Sequence, residues 1–168
     1  YDDYRDGDVR GKFVLVLERE PGVTDPSSPF DGVVTAEASR TWRKALSAQE
    51  RGEKGILFVR AVHNRPETGD WQQSHRGSWP EEPRRVERFL LGAWVQDITI
   101  PAAQISVELA EALVNGSGRT LEELSVASEA AGEGLGAIAL PGAETSLTVA
   151  VERHIITGRN VLAMVEGS

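Results

Sequence analysis

The sequence contains no cysteine. That excludes disulfides, thiolate metal sites and thiol nucleophiles. Histidine is scarce: His63, His75 and His154 are the only three, and no two of them form an HExxH or HxH pair. A hydrolytic zinc site needs imidazoles and carboxylates converging on one ion, and the sequence offers little toward one. No apolar run approaches the ~20 residues of a membrane-spanning helix, and no signal-peptide pattern stands at the start. No serine sits in a GxSxG elbow. Gly116-Ser117-Gly118 has a superficial likeness to one, but it lies between two predicted helices and reads as a linker turn. Gly132-Glu133-Gly134-Leu135-Gly136 is glycine-rich, yet it follows a helix instead of opening one. It lacks the helix N-terminus that would hold a phosphate and reads as a flexible connector.

What is present suits one soluble domain. The 168 residues are 40% hydrophobic and 26% charged, enough for a core and a solvated surface. Eighteen Lys and Arg stand against 26 Asp and Glu, for a net charge of −8. Such a surface repels phosphate backbones, so nucleic acid is not an expected partner. The one basic cluster, Arg84, Arg85 and Arg88, is offset by Glu81, Glu82 and Glu87 and reads as a solvated face. The chain starts at Tyr1 and stops at Ser168 straight after an apolar run, so it reads as a segment of a longer protein.

Residues 12–17 form a short β-rich apolar run, predicted as a strand buried on both faces. Residues 20–32 carry three prolines and two glycines, which is loop chemistry. Residues 36–51 predict a helix with Ala38, Trp42, Ala45 and Gln49 on one stripe, Leu46 beside it, and Gly52 as its C-terminal cap. Residues 55–62 predict a second buried strand. A strand, helix, strand unit implies a crossover with the two strands parallel. Residues 63–88 form a long irregular loop.

Residues 94–100 alternate and predict a strand, with a short one possible at Gln104-Ile105. Ser106 reads as an N-cap, with Glu108 in the first turn, for a helix that buries Val107, Ala110, Leu113 and Val114. Thr120 and Glu123 form a capping-box pair for the next helix, which turns Leu121, Leu124, Ala127 and Ala131 inward. Residues 144–156 and 160–165 predict a hairpin turning at Thr157-Gly158. The class is α+β, a mixed sandwich or open barrel of about six or seven strands with about three helices.

Candidate functional residues lie mainly in the long loop. Trp71 and Trp79 sit where no pattern demands burial, with His75 between them. Exposed loop tryptophans favour protein or peptide contacts; the alternative is that each anchors the loop to its own domain. His63 and His75, with Glu67 and Asp70, are the residues a metal would need in that loop, but no metal site is assigned there. His154 follows Glu152-Arg153 on a predicted strand and reads as a surface residue. Asp2, Asp3, Asp6 and Asp8 are oxygen-rich but do not match a calcium loop. Glu81-Glu82 and Glu122-Glu123 are adjacent carboxylates, the first pair in loop and the second at a helix start.

Several segments, in order, resemble one family. Val9-Arg10-Gly11-Lys12-Phe13-Val14-Leu15-Val16-Leu17 resembles the "V-x-GKVVLV" strand that opens protease-associated (PA) domains. Pro29-Phe30-Asp31 follows. Gly52-Glu53-Lys54-Gly55-Ile56-Leu57-Phe58-Val59 is similar to "GAKGVLFV", and Ile100-Pro101-Ala102-Ala103-Gln104-Ile105-Ser106 to "IPAAQIS". At the far end, Leu147-Thr148-Val149-Ala150-Val151-Glu152-Arg153 and Arg159-Asn160-Val161-Leu162-Ala163 resemble the join to a di-zinc aminopeptidase of the leucine aminopeptidase, glutamate carboxypeptidase and transferrin-receptor-like family. The resemblance implies a PA domain over 1–156, with a lengthened loop at 63–88, and a strand over 157–168 leading into a peptidase domain. It implies a secreted or periplasmic parent with two zinc ions in a catalytic domain beyond this chain, and no catalytic, cofactor or metal residue within it. The implied partners are that peptidase domain and a peptide or protein substrate; the lengthened loop departs from the family pattern, and Trp71, His75 and Trp79 are named as contact residues from the loop's own composition, not from the resemblance.

Overall fold

A computed structural model describes residues 2–23, 25–30, 36–59, 91–130, 135–159 and 161–164. Three strands make one parallel sheet in the order β1-β2-β3: β1 Phe13–Leu17, β2 Gly55–Val59 and β3 Ala102–Gln104. Phe13 stands opposite Gly55 and Leu17 opposite Val59, while Ile56 stands opposite Ala102 and Phe58 opposite Gln104.

Successive side chains on a strand face opposite ways, and the packing follows that alternation. Val14, Val16, Ile56, Phe58 and Ala102 pack with Ala45 and Ala48 of helix α1 (Thr41–Glu50) and with Ile98 and Ile100. Leu15, Leu17, Val59 and Ile105 pack with α3 (Val107–Val114) and α4 (Leu121–Ala130) through Ala110, Val114, Leu121 and Leu124. A parallel sheet needs both faces covered, which is why Phe13–Leu17 and Gly55–Val59 are unbroken apolar runs. The central strand β2 is buried along its length, whereas β1 is half-buried throughout. Full burial of β1 was predicted, but an edge strand has a neighbour on one side only.

The helix ends follow their capping residues. Gly52 takes a left-handed φ of 79°. Its N–H donates to Gln49 O at 2.9 Å, and Glu53 N–H donates to Ala48 O at 3.2 Å, the paired bonds of a Schellman turn. Ser106 Oγ accepts Leu109 N–H at 3.2 Å and starts α3. Thr120 Oγ1 accepts Glu123 N–H at 3.1 Å, and Glu123 Oε2 accepts Thr120 N–H at 2.9 Å. The capping box is therefore reciprocal, as its spacing predicts.

Three sequence expectations differ from the fold. Ala38 is exposed, on a 3-10 turn (Glu37–Ser39) that precedes α1, and Ala48 joins Ala45 on the buried stripe instead. The predicted strand over 94–100 is replaced by a short helix α2 (Gly92–Val95) and a turn. Leu91, Trp94, Val95 and Ile98 fall at i, i+3, i+4 and i+7, the helical spacing, and the alternating reading overlooked it. Trp94 then stacks on Trp42, centroids 5.4 Å apart and planes 5° apart.

The third difference is the strand count. Among the described residues there are three strands, and no strand forms over 144–156 or 161–164; residues 160 and 165 of the second predicted strand lie outside the described residues. Alternation groups side chains by face, but a strand also needs a neighbour for its backbone groups. Here Ile155 is 88% exposed and Val161, Leu162 and Met164 are each 95% exposed.

Candidate functional site

Trp71, His75 and Trp79, with His63, Glu67, Asp70 and the arginines at 84, 85 and 88, lie outside the described residues. His154 is exposed, its Nε2 3.8 Å from Glu152 Oε1. The N-terminal aspartates serve local turns: Asp2 Oδ1 accepts Tyr4 N–H at 2.9 Å, and Asp8 Oδ1 accepts Arg10 N–H at 3.2 Å. Among the described residues, no three His, Asp or Glu side chains gather as a metal ion requires. Ser117 Oγ donates to Val114 O at 2.7 Å, so its hydroxyl serves the turn between α3 and α4.

The structure brings together a cluster that the sequence reading missed. The Schellman turn after α1 directs Glu53 inward, at a position usually occupied by an apolar residue. Gly11 N–H donates to Gly52 O and Lys54 N–H to Lys12 O, both at 2.8 Å, tying the start of β1 to that turn. Glu53 is only 4% exposed, and neither carboxyl oxygen has a well-formed hydrogen bond. Burial pushes its carboxyl up to about 7, against smaller downward pulls from the Tyr4 hydroxyl and the Arg51 guanidinium. Charged groups out of water favour their neutral form. The Tyr4 hydroxyl is itself pushed up, first by burial and then by the Glu53 carboxylate.

Arg51 closes the cluster from outside. Its guanidinium lies 4.2 Å from the Tyr4 ring centre, a cation–π contact, and 3.7 Å from Asp2 Oδ1. Asp2, Tyr4, Asp8, Arg10 and Arg51 line an open cavity of about 310 Å³ between the N-terminal arm and the end of α1. The cavity carries both signs of charge, and Tyr4 and Arg51, which line it, also act on the buried Glu53 carboxyl.

A second buried polar cluster holds the exit of β1. Lys44 Nζ donates to Leu17 O at 2.8 Å and also to Arg19 O, and burial lowers its pKa. Glu20 is buried and accepts Ala36 N–H with both oxygens at 3.0 Å. These bonds satisfy backbone groups that would otherwise be stranded, so the cluster is structural. Gln49 does the same work on the other flank of α1. Its Oε1 accepts from Thr99 N–H at 2.7 Å and Thr99 Oγ1 at 2.9 Å, and its Nε2 donates to Asp97 O at 2.9 Å.

Compared with family models, with curated proteins and with solved structures, the chain finds no match.

Proposed function

We propose that this chain is a non-catalytic accessory domain of the PA type, attached to a secreted or periplasmic zinc aminopeptidase. The observation that carries the reading is the fate of the three resembling segments. Phe13–Leu17, Gly55–Val59 and Ala102–Gln104 become adjacent strands of one sheet, in the order of the motif. The mixed sandwich or barrel of a whole PA domain, with its further strands, belongs to this proposal.

In this reading the two zinc ions sit in a peptidase domain beyond the chain, and Trp71, His75 and Trp79 contact peptide near its cleft. Substituting Trp71 and Trp79 by Ala in the parent peptidase is expected to raise KM several-fold for longer peptides and to leave short substrates unchanged. Equal KM at every peptide length would remove the loop from the mechanism.

A second role, as a spacer or protein-interaction module, is favoured by a separate observation. Val151, Ile155, Ile156, Val161, Leu162 and Met164 stand exposed in the last two described segments. Large exposed apolar surface is what a protein contact covers.

A further inference from the structure

Residues 2–8 form an arm laid across the turn that joins α1 to β2. It is held on two sides, with Gly7 packed closely on Ala137. Arg51 meets the Tyr4 ring and Asp2 on one side. On the other, Ala137 N–H donates to Arg5 O at 3.0 Å. Half-buried Tyr4 lies in the arm and faces the Glu53 carboxyl, which has 4% exposure and no well-formed hydrogen bond. Ionising a carboxyl in such a place is unfavourable unless water reaches it. Lifting the arm is the local motion that would admit water, because the turn beneath it is fixed by bonds to β1 and α1.

We propose that Glu53, Tyr4 and Arg51 form a pH-sensitive latch: the arm stays seated while the Glu53 carboxyl is neutral and lifts when that carboxyl ionises. Asp2, Tyr4, Gly7 and Asp8 supply one wall of the cavity of about 310 Å³, so lifting the arm dismantles that cavity. The groups facing Glu53 are Tyr4 from the arm and Arg51 from the end of α1. Asp3 acts on Tyr4 and Asp2 on Arg51, while Arg10 lies against Gly52 and Lys54 is turned to the Phe13 ring. Arg51 and the Tyr4 hydroxyl favour the ionised carboxyl, and burial outweighs both. The latch stands independently of the accessory-domain reading.

The sign follows from linkage. A carboxyl with a raised pKa in the seated state holds its proton better there than when hydrated. Seating is therefore strongest below the ordinary value of 4.5 and weakens as pH rises through about 7. The ratio of lifted to seated arm should grow on the order of 70-fold between about pH 5 and pH 8.

Hydrogen exchange on the full chain, corrected for the intrinsic pH dependence of exchange, reads this directly. Protection of the Ala137 amide, set by a local opening and therefore lower at each pH than that of the β1 and β2 amides, should fall by tens of fold from pH 5 to pH 8. Glu53→Gln should remove the pH dependence and keep Ala137 protected at both values. Equal protection of wild-type Ala137 at both pH values, or an unchanged pH dependence in Glu53→Gln, would overturn the latch. Should that variant not fold, the carboxyl carbon of Glu53 in the wild type decides by NMR. A midpoint near 7, together with the exchange change, supports the latch, and a midpoint near 4.5 overturns it.

Discussion

Among the described residues, Glu53 stands out for an environment that opposes its chemistry. Its carboxyl is taken out of water without a well-formed hydrogen bond in return, so its ionisation opposes folding. Global stability carries the same signature as the local motion. The contribution is full below the ordinary carboxyl value of 4.5 and is lost as pH rises through about 7. Urea unfolding at pH 5 and pH 8 should show wild type losing about 2 kcal/mol relative to Glu53→Gln across that interval. A constant difference between the two proteins would mean that the carboxyl is hydrated in the folded state. Glu53 was not legible in the sequence, because a Glu beside Gly52 and Lys54 looks like surface. Its inward direction comes from the backbone of the Schellman turn. Ser106, Thr120 and Glu123 were legible because capping is local chemistry, decided within three or four residues.

Among the elements, β2 is the one on which the others depend. It pairs with both neighbours and lies in contact with both helical layers. Gly55 opens it at a closely packed point. A Cβ there would lie 2.5 Å from Phe13 Cε1 and 3.0 Å from Pro101 O. The Phe13 ring can turn aside, but the Pro101 carbonyl accepts Ile56 N–H at 3.0 Å and is held in place. Gly55→Ala is expected to cost about 1–3 kcal/mol by overpacking, measured as a fall in unfolding midpoint with unchanged denaturant slope. No loss would mean that β1 and β3 approach less closely than the geometry has them.

In the sequence, β1 and β2 are unbroken apolar runs, and α1, α3 and α4 carry apolar stripes or local caps. α2 spans only Gly92–Val95, too short for periodicity to separate helix from strand. Its position is set by the Trp42–Trp94 stack, a tertiary contact between residues far apart in the chain. The predicted C-terminal hairpin had the right alternation, and no described strand lies beside it. Tertiary context decided both, and no local pattern records it.

At the scale of the whole molecule, the packed unit is the sheet with α1 on one face and α3 and α4 on the other. The described residues of 144–164 are mostly exposed, and Arg153 Nη2 donates to Val95 O at 3.4 Å. Truncation after Ala143 should therefore leave the unfolding free energy within about 0.5 kcal/mol. A large loss of stability or of cooperativity would show that the segment packs in solution.

The reading of this chain as an accessory domain without its own chemistry is tested most directly by assaying the purified 168 residues with added zinc against aminoacyl chromogenic substrates. Chromophore release no faster than in buffer is the expected result. Zinc-dependent turnover that disappears on chelation would contradict the non-catalytic assignment.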